Sequence, residues 1–84
     1  MSQRVISRDQ AIAAGHRISS PTALGLLLRS RRKKLGYTQE AAAAMLGYSP
    51  RLVGEIERGR GSVGFEKILA YASGLGIDLV AFER

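Results

Sequence analysis

Residues 39–58 read QEAAAAMLGYSPRLVGEIER, and this window decides the fold. Thr38 stands before it as an N-cap, and Gln39 to Leu46 form a strongly helix-prone stretch with four consecutive alanines. Gly47 stops that helix at a position favouring positive φ, which costs glycine nothing and a residue with a Cβ rather more. Ser49 followed by Pro50 opens a second helix: the serine oxygen takes one orphan amide and proline has no amide to orphan. Leu52, Val53 and Ile56 carry this helix to about Arg58. The window thus predicts two short helices across a tight turn, with Ala43 small at their crossing. Val53 and Ile56 are expected to face Ala42, Met45 and Leu46.

Working outward, Ser20 and Pro21 repeat the start signal, and Leu24, Leu27, Leu28 and Leu35 recur at near-helical spacing. A helix over 21–35, ended by Gly36, is predicted, its basic residues mainly on the other face. Beyond the window, Gly59, Arg60 and Gly61 form a turn. Phe65, Ile68, Leu69 and Ala72 then mark a fourth helix over 64–73, before Gly74 and Gly76. Residues 77–82 alternate differently: Ile77, Leu79 and Ala81 fall on one face, and Asp78, Val80 and Phe82 on the other. That reads as a strand. An otherwise helical chain offers it only weak partners, such as residues 4–7, so two readings stay open. The segment packs in extended form on the helices, or it pairs with its own copy in a second subunit. Residues 1–19 are polar and basic, with a capping-box pattern of Ser7 and Gln10, then Ala11 to Ala14 and Gly15. They form either a short helix or an arm. The organisation is therefore 1–19 arm or short helix, 20–76 helical domain, and 77–84 C-terminal strand.

An 84-residue chain supplies one domain. At this size roughly 60% of the unfolded surface is buried, and with no cysteine there is no disulfide or thiolate metal site. Oligomerisation is the expected supplement to so thin a core. No apolar run approaches a membrane span, and Arg4, Arg8 and Asp9 interrupt any signal-peptide pattern, so a cytoplasmic protein is expected. The net charge is +6, and its placement matters more than its size. Residues 1–60 hold 11 basic and 4 acidic side chains, against 2 and 3 in residues 61–84. Five of the six residues at 29–34 are cationic, a density suited to a polyanion. Nucleic acid is the favoured partner on these grounds and on the helical window, with a solvated face or an anionic membrane surface as the other readings.

The segments LGLLLRSRRKKLGYTQ, AAAAMLGYS and IERG together resemble the helix-turn-helix regulators related to the Cro and phage repressor proteins, over residues 20–75. The tail GIDLVAFER further resembles that of the HipB-type antitoxins. The resemblance implies an all-α bundle of four or five helices, a C-terminal β-strand paired across a homodimer, and a palindromic double-stranded DNA operator. It also implies a HipA-type serine/threonine kinase toxin as partner. A stand-alone repressor without a toxin is the alternative.

By position, the second helix of the motif would enter the major groove with Ser49, Pro50, Arg51, Gly54 and Glu55 towards the base edges. Arg51 is suited to the O6 and N7 of guanine, and Glu55 to the amino group of cytosine. Pro50 makes no polar base contact, Gly54 departs from the polar side chains usual there, and Leu52 either touches a thymine methyl or stays exposed. The resemblance assigns Gln39 to a phosphate, and Thr38, Tyr48, Arg58 and Arg60 flank the same side as phosphate contacts or as ordinary cap, turn and solvated residues. Arg32 is implied to pair with Glu57 structurally, a phosphate contact being the other reading. Of Arg29, Arg31, Lys33 and Lys34, which step round the helix by about 100°, only one or two reach phosphate, Arg29 first.

Catalysis lacks its parts: there is no cysteine, His16 is isolated, and no glycine-rich loop ends in a lysine. No cofactor and no metal are expected. A pure protein-interaction module would explain the tail and the amphipathic helices but not the basic bias.

Overall fold

The computed structural model describes residues 9–10 and 15–84. The short helix read over residues 7–14 lies outside the described residues, apart from Asp9 and Gln10, which are helical. Four helices follow: α1 Pro21–Lys34, α2 Gln39–Leu46, α3 Pro50–Glu57 and α4 Phe65–Gly74. Three begin on side-chain caps. Ser20 Oγ accepts from the Ala23 amide at 3.0 Å, Thr38 Oγ1 from Ala41 at 3.0 Å, and Ser49 Oγ from Leu52 at 3.1 Å. Each satisfies one amide that the first helical turn leaves without a partner.

The connection between α2 and α3 is a left-handed cap. Gly47 has φ 68°, and the Tyr48 amide reaches back to the Ala43 carbonyl at 2.9 Å. α3 packs against both α1 and α2, and α4 closes on α2. The core comprises Leu24 and Leu28 from α1, Ala42 and Ala43 from α2, Val53 and Ile56 from α3, and Tyr71, Ala72 and Leu75 at the end. Leu28, Val53, Tyr71 and Leu75 are fully buried, each contributing about 1.5–3 kcal/mol of transfer free energy.

The α1–α3 contact is closer than side chains alone permit. At Gly25 a Cβ would lie 2.4 Å from the Glu57 carbonyl oxygen and 2.6 Å from that of Ile56, so the α1 backbone rests directly on the last turn of α3.

Three inner faces differ from expectation. Met45 is 48% exposed, because the α2 stripe runs through Ala42, Ala43 and Leu46 and the 100° step sets Met45 roughly 110° from its middle. On α4 the buried stripe is Tyr71, Ala72 and Leu75 with Ile68 half-buried, whereas Phe65 and Leu69 face outward. Leu35, expected in the α1 stripe, caps that helix and is also exposed.

Residues 77–84 form no strand among the described residues, none of which pairs with them in a ladder. The alternation nonetheless decides which side chains turn inward. Ile77 and Leu79 pack against the core, while Asp78, Val80 and Phe82 are exposed; Ala81 is exposed too.

Two glycines separate packing from conformation. Gly25→Ala should lower the unfolding free energy by about 3 kcal/mol, because two helix backbones must part. Gly47→Ala meets nothing within 4 Å and should cost only the left-handed strain, about 1 kcal/mol. Urea melts of the two variants check the order; equal losses would contradict the close α1–α3 crossing.

Candidate nucleic-acid interface

The start of α3 is exposed at Ser49, Pro50 and Arg51. Arg51 is its most extended group: the side chain is 85% exposed, and its Nε donates to Glu55 Oε1 at 3.2 Å. Glu55 is half-buried beneath it. Ser49 and Pro50 are exposed, with the serine oxygen already engaged as the cap. Leu52 packs against the core rather than projecting. Gly54 is buried, contrary to its expected place at the base edges. The Arg58 guanidinium folds back over it, its Nη1 3.1 Å from where a Cβ would sit.

Behind this surface lies a polar cluster built from all four helices. Arg32 of α1 donates through Nε to Glu57 Oε2 at 2.7 Å and through Nη2 to Oε1 at 3.0 Å, while its Nη1 donates to the Tyr37 carbonyl at 2.8 Å. Gln39, at the start of α2, donates from Nε2 to Glu57 Oε1 at 3.1 Å. Tyr71 of α4 donates its hydroxyl to Oε2 at 2.6 Å. Arg32 is only 6% exposed and is spent on the interior rather than on a phosphate.

The electrostatics follow from burial and partners. Burial alone would push the Glu57 carboxyl up, but the hydrogen bonds from Arg32, Tyr71 and Gln39, with the arginine charge, hold it below the usual carboxylate value. The hydrogen bond to Glu57 raises Arg32 further. Burial first, and then the bond to an already charged carboxylate, push the Tyr71 phenol well up, so it remains a donor.

Between this cluster and the surface is a cleft of about 380 Å³ lined by Thr22, Leu26, Arg29, Gln39, Glu57 and Arg58. Three of the six expected phosphate contacts, Arg29, Gln39 and Arg58, therefore share one cleft. The other three are placed differently. Thr38 caps α2, and Arg60 lies exposed in the loop after α3. Tyr48 is half-buried against the core, its hydroxyl reaching the Lys67 carbonyl at a long 3.5 Å. Arg31 turns the other way and donates to the Leu75 carbonyl at 2.8 Å, binding α1 to the end of α4.

Tyr71 was missed by sequence reasoning. Its signal was the spacing from Ile68 and Leu75, three and four residues away, which puts the ring on the α4 stripe, where a buried hydroxyl requires a partner. No group of His, Cys, Asp or Glu among the described residues is placed to hold a metal ion, and no described helix is long and apolar enough to cross a membrane.

A family model described as helix-turn-helix matches residues 28–82. Among solved structures, a chain of the HipA–HipB–O2–O3 complex is similar with a TM-score of 0.74 and 19% identity, covering 81% of this chain and 96% of that one. A chain of a structure described as MDT Protein is similar with a TM-score of 0.74, also at 19% identity. At that identity the likeness is one of fold. No curated protein matches the chain.

The depressed Glu57 carboxyl sets the sign of an acid effect. Its stabilisation is fully present above the ordinary glutamate value of 4.5 and is lost as pH falls through the lower folded value. Urea midpoints measured from pH 7 downward should therefore drop below pH 4.5 more steeply in the wild type than in Glu57→Gln. Parallel curves would contradict the assignment.

Proposed function

The chain belongs to the helix-turn-helix family, and on that premise we propose that it is a sequence-specific transcriptional repressor that lays the first turn of α3 into the DNA major groove. The observation that carries this reading is the placement of cations around α3. Arg51 is exposed on its first turn, and Arg29 and Arg58 gather with the neutral Gln39 amide at the cleft beside its last.

Arg51 is the principal base reader. Glu55 occupies its Nε, which leaves both terminal nitrogens for the O6 and N7 of a guanine, a pairing worth about 1–3 kcal/mol of discrimination. Pro50 and the buried Gly54 add no polar contact, so phosphate contacts and DNA shape carry much of the remainder. Arg29, Gln39 and Arg58 meet the backbone, with Thr38, Tyr48 and Arg60 on the flanks.

The functional unit is a homodimer joined through Ile77, Asp78, Leu79, Val80, Ala81 and Phe82. This segment is non-helical, has two side chains anchored on the core, and has no ladder partner among the described residues. A two-fold dimer matches a palindromic operator with half-sites about 10 base pairs apart. The finer reading is a HipB-type antitoxin that represses its own operon and binds a HipA-type kinase. It is supported by the likeness to a chain of the HipA–HipB–O2–O3 complex and by the tail. An open reading frame for a kinase-like protein adjoining the gene separates this from a stand-alone repressor.

Selection from random duplexes, followed by titration of two variants, tests the DNA reading. Arg51→Ala should relax preference at one guanine of each half-site, whereas Gln39→Ala should weaken binding to all sequences about equally. Failure to enrich any sequence would overturn specific DNA binding, and exchanged phenotypes would overturn the assigned roles.

A further inference from the structure

We propose that Tyr71 is a positioning residue for the phosphate contact of Gln39, acting through the Glu57 carboxylate; this rests on the DNA-binding reading above. An ionised carboxylate has about four lone-pair sites. In Glu57 all four are taken: Oε2 accepts from Arg32 Nε and the Tyr71 hydroxyl, and Oε1 accepts from Arg32 Nη2 and Gln39 Nε2. Tyr71 and Gln39 stand on α4 and α2, and the carboxylate between them stands on α3.

Two consequences converge on the cleft. Glu57 lines it beside Arg29 and Arg58, so an uncovered carboxylate oxygen there would repel an incoming phosphate. With every lone pair engaged, its charge is directed into donors instead. The carboxylate also decides which end of the Gln39 amide faces it. A flipped amide would set oxygen against oxygen, so the nitrogen is held on the carboxylate side and its second N–H remains for an anion.

Tyr71 is fully buried, and removing its hydroxyl would leave Oε2 one donor short. The carboxylate then turns to recover a partner. Oε1 moves with it, and the Gln39 amide loses the acceptor that orients it. Tyr71 touches no DNA in this scheme, and both effects pass through Gln39, because Gln39→Ala by itself uncovers the carboxylate and removes the amide.

The test is a double-mutant cycle on the full chain with a random-sequence duplex at low salt, using Tyr71→Phe, Gln39→Ala and the double variant. Tyr71→Phe should weaken binding roughly fivefold when Gln39 is present and leave it unchanged in the Gln39→Ala background. Circular dichroism establishes that the variants compared are folded. A second measurement needs no Tyr71 variant: by linkage, adding the duplex should shift the Tyr71 ring resonances in the wild type and not in Gln39→Ala. Equal losses in both backgrounds, no loss at all, or equal Tyr71 shifts with and without Gln39 would overturn the proposal while leaving the phosphate contact standing. A Gln39→Ala chain that binds like the wild type would instead overturn that contact itself.

Discussion

The arrangement of the four helices depends on one buried carboxylate. Glu57 ends α3, and its donors come from α1, α2 and α4. Burying an ion pair is expensive, and the attraction between its members offsets that cost only when the geometry is good and the remaining hydrogen-bonding sites are filled. Here both conditions hold, since Arg32 presents a bidentate fork and Gln39 and Tyr71 take what is left. Such a cluster adds little net stability over apolar packing, but it penalises any arrangement that parts its members. The backbone contact at Gly25 acts on the same junction, because α1 meets α3 at the carbonyl of Glu57 itself.

The outer surface inherits its geometry from this inner one. α3 has only eight residues, too few to be stable alone, so its orientation comes from what holds its ends. Its first turn carries the Ser49 cap and Arg51, and its last turn carries Glu57. The side chains between them are buried, half-buried or, at Gly54, absent, so a base-reading surface of the kind proposed would have few groups on α3. On the proposed reading the cations near its end attract phosphate without sequence information, which would place affinity and specificity at opposite ends of one short helix.

Much of the fold was legible because local chemistry decides helix ends. The Ser20–Pro21, Thr38 and Ser49–Pro50 starts and the Gly36 and Gly47 stops act within a turn of chain, and no distant residue overrides them. Side-chain direction was less legible. Met45, Phe65 and Leu69 are apolar and near the right spacing, yet the thin core has room for only one stripe per helix. Tyr71 was hidden for a related reason: its partner lies 14 residues away and is recognisable only once α3 and α4 are packed. The pairing of Arg32 with Glu57 came from family resemblance, because no periodicity links residues 25 apart. The tail's alternation anticipates the inward Ile77 and Leu79, but the strand it suggests does not form among the described residues, because a strand needs a second segment to pair with.

If the cluster orients the DNA-binding surface more than it stabilises the fold, replacing its ion pair with apolar side chains should separate the two properties. The decisive measurement is the duplex affinity of the Arg32→Met, Glu57→Leu double variant, taken at the salt and temperature of the wild type with helicity followed in parallel. The expected result is a chain that stays helical and loses about tenfold or more in affinity, with Arg29, Arg51 and Arg58 all intact. A helical variant that binds duplex DNA as tightly as the wild type would contradict it.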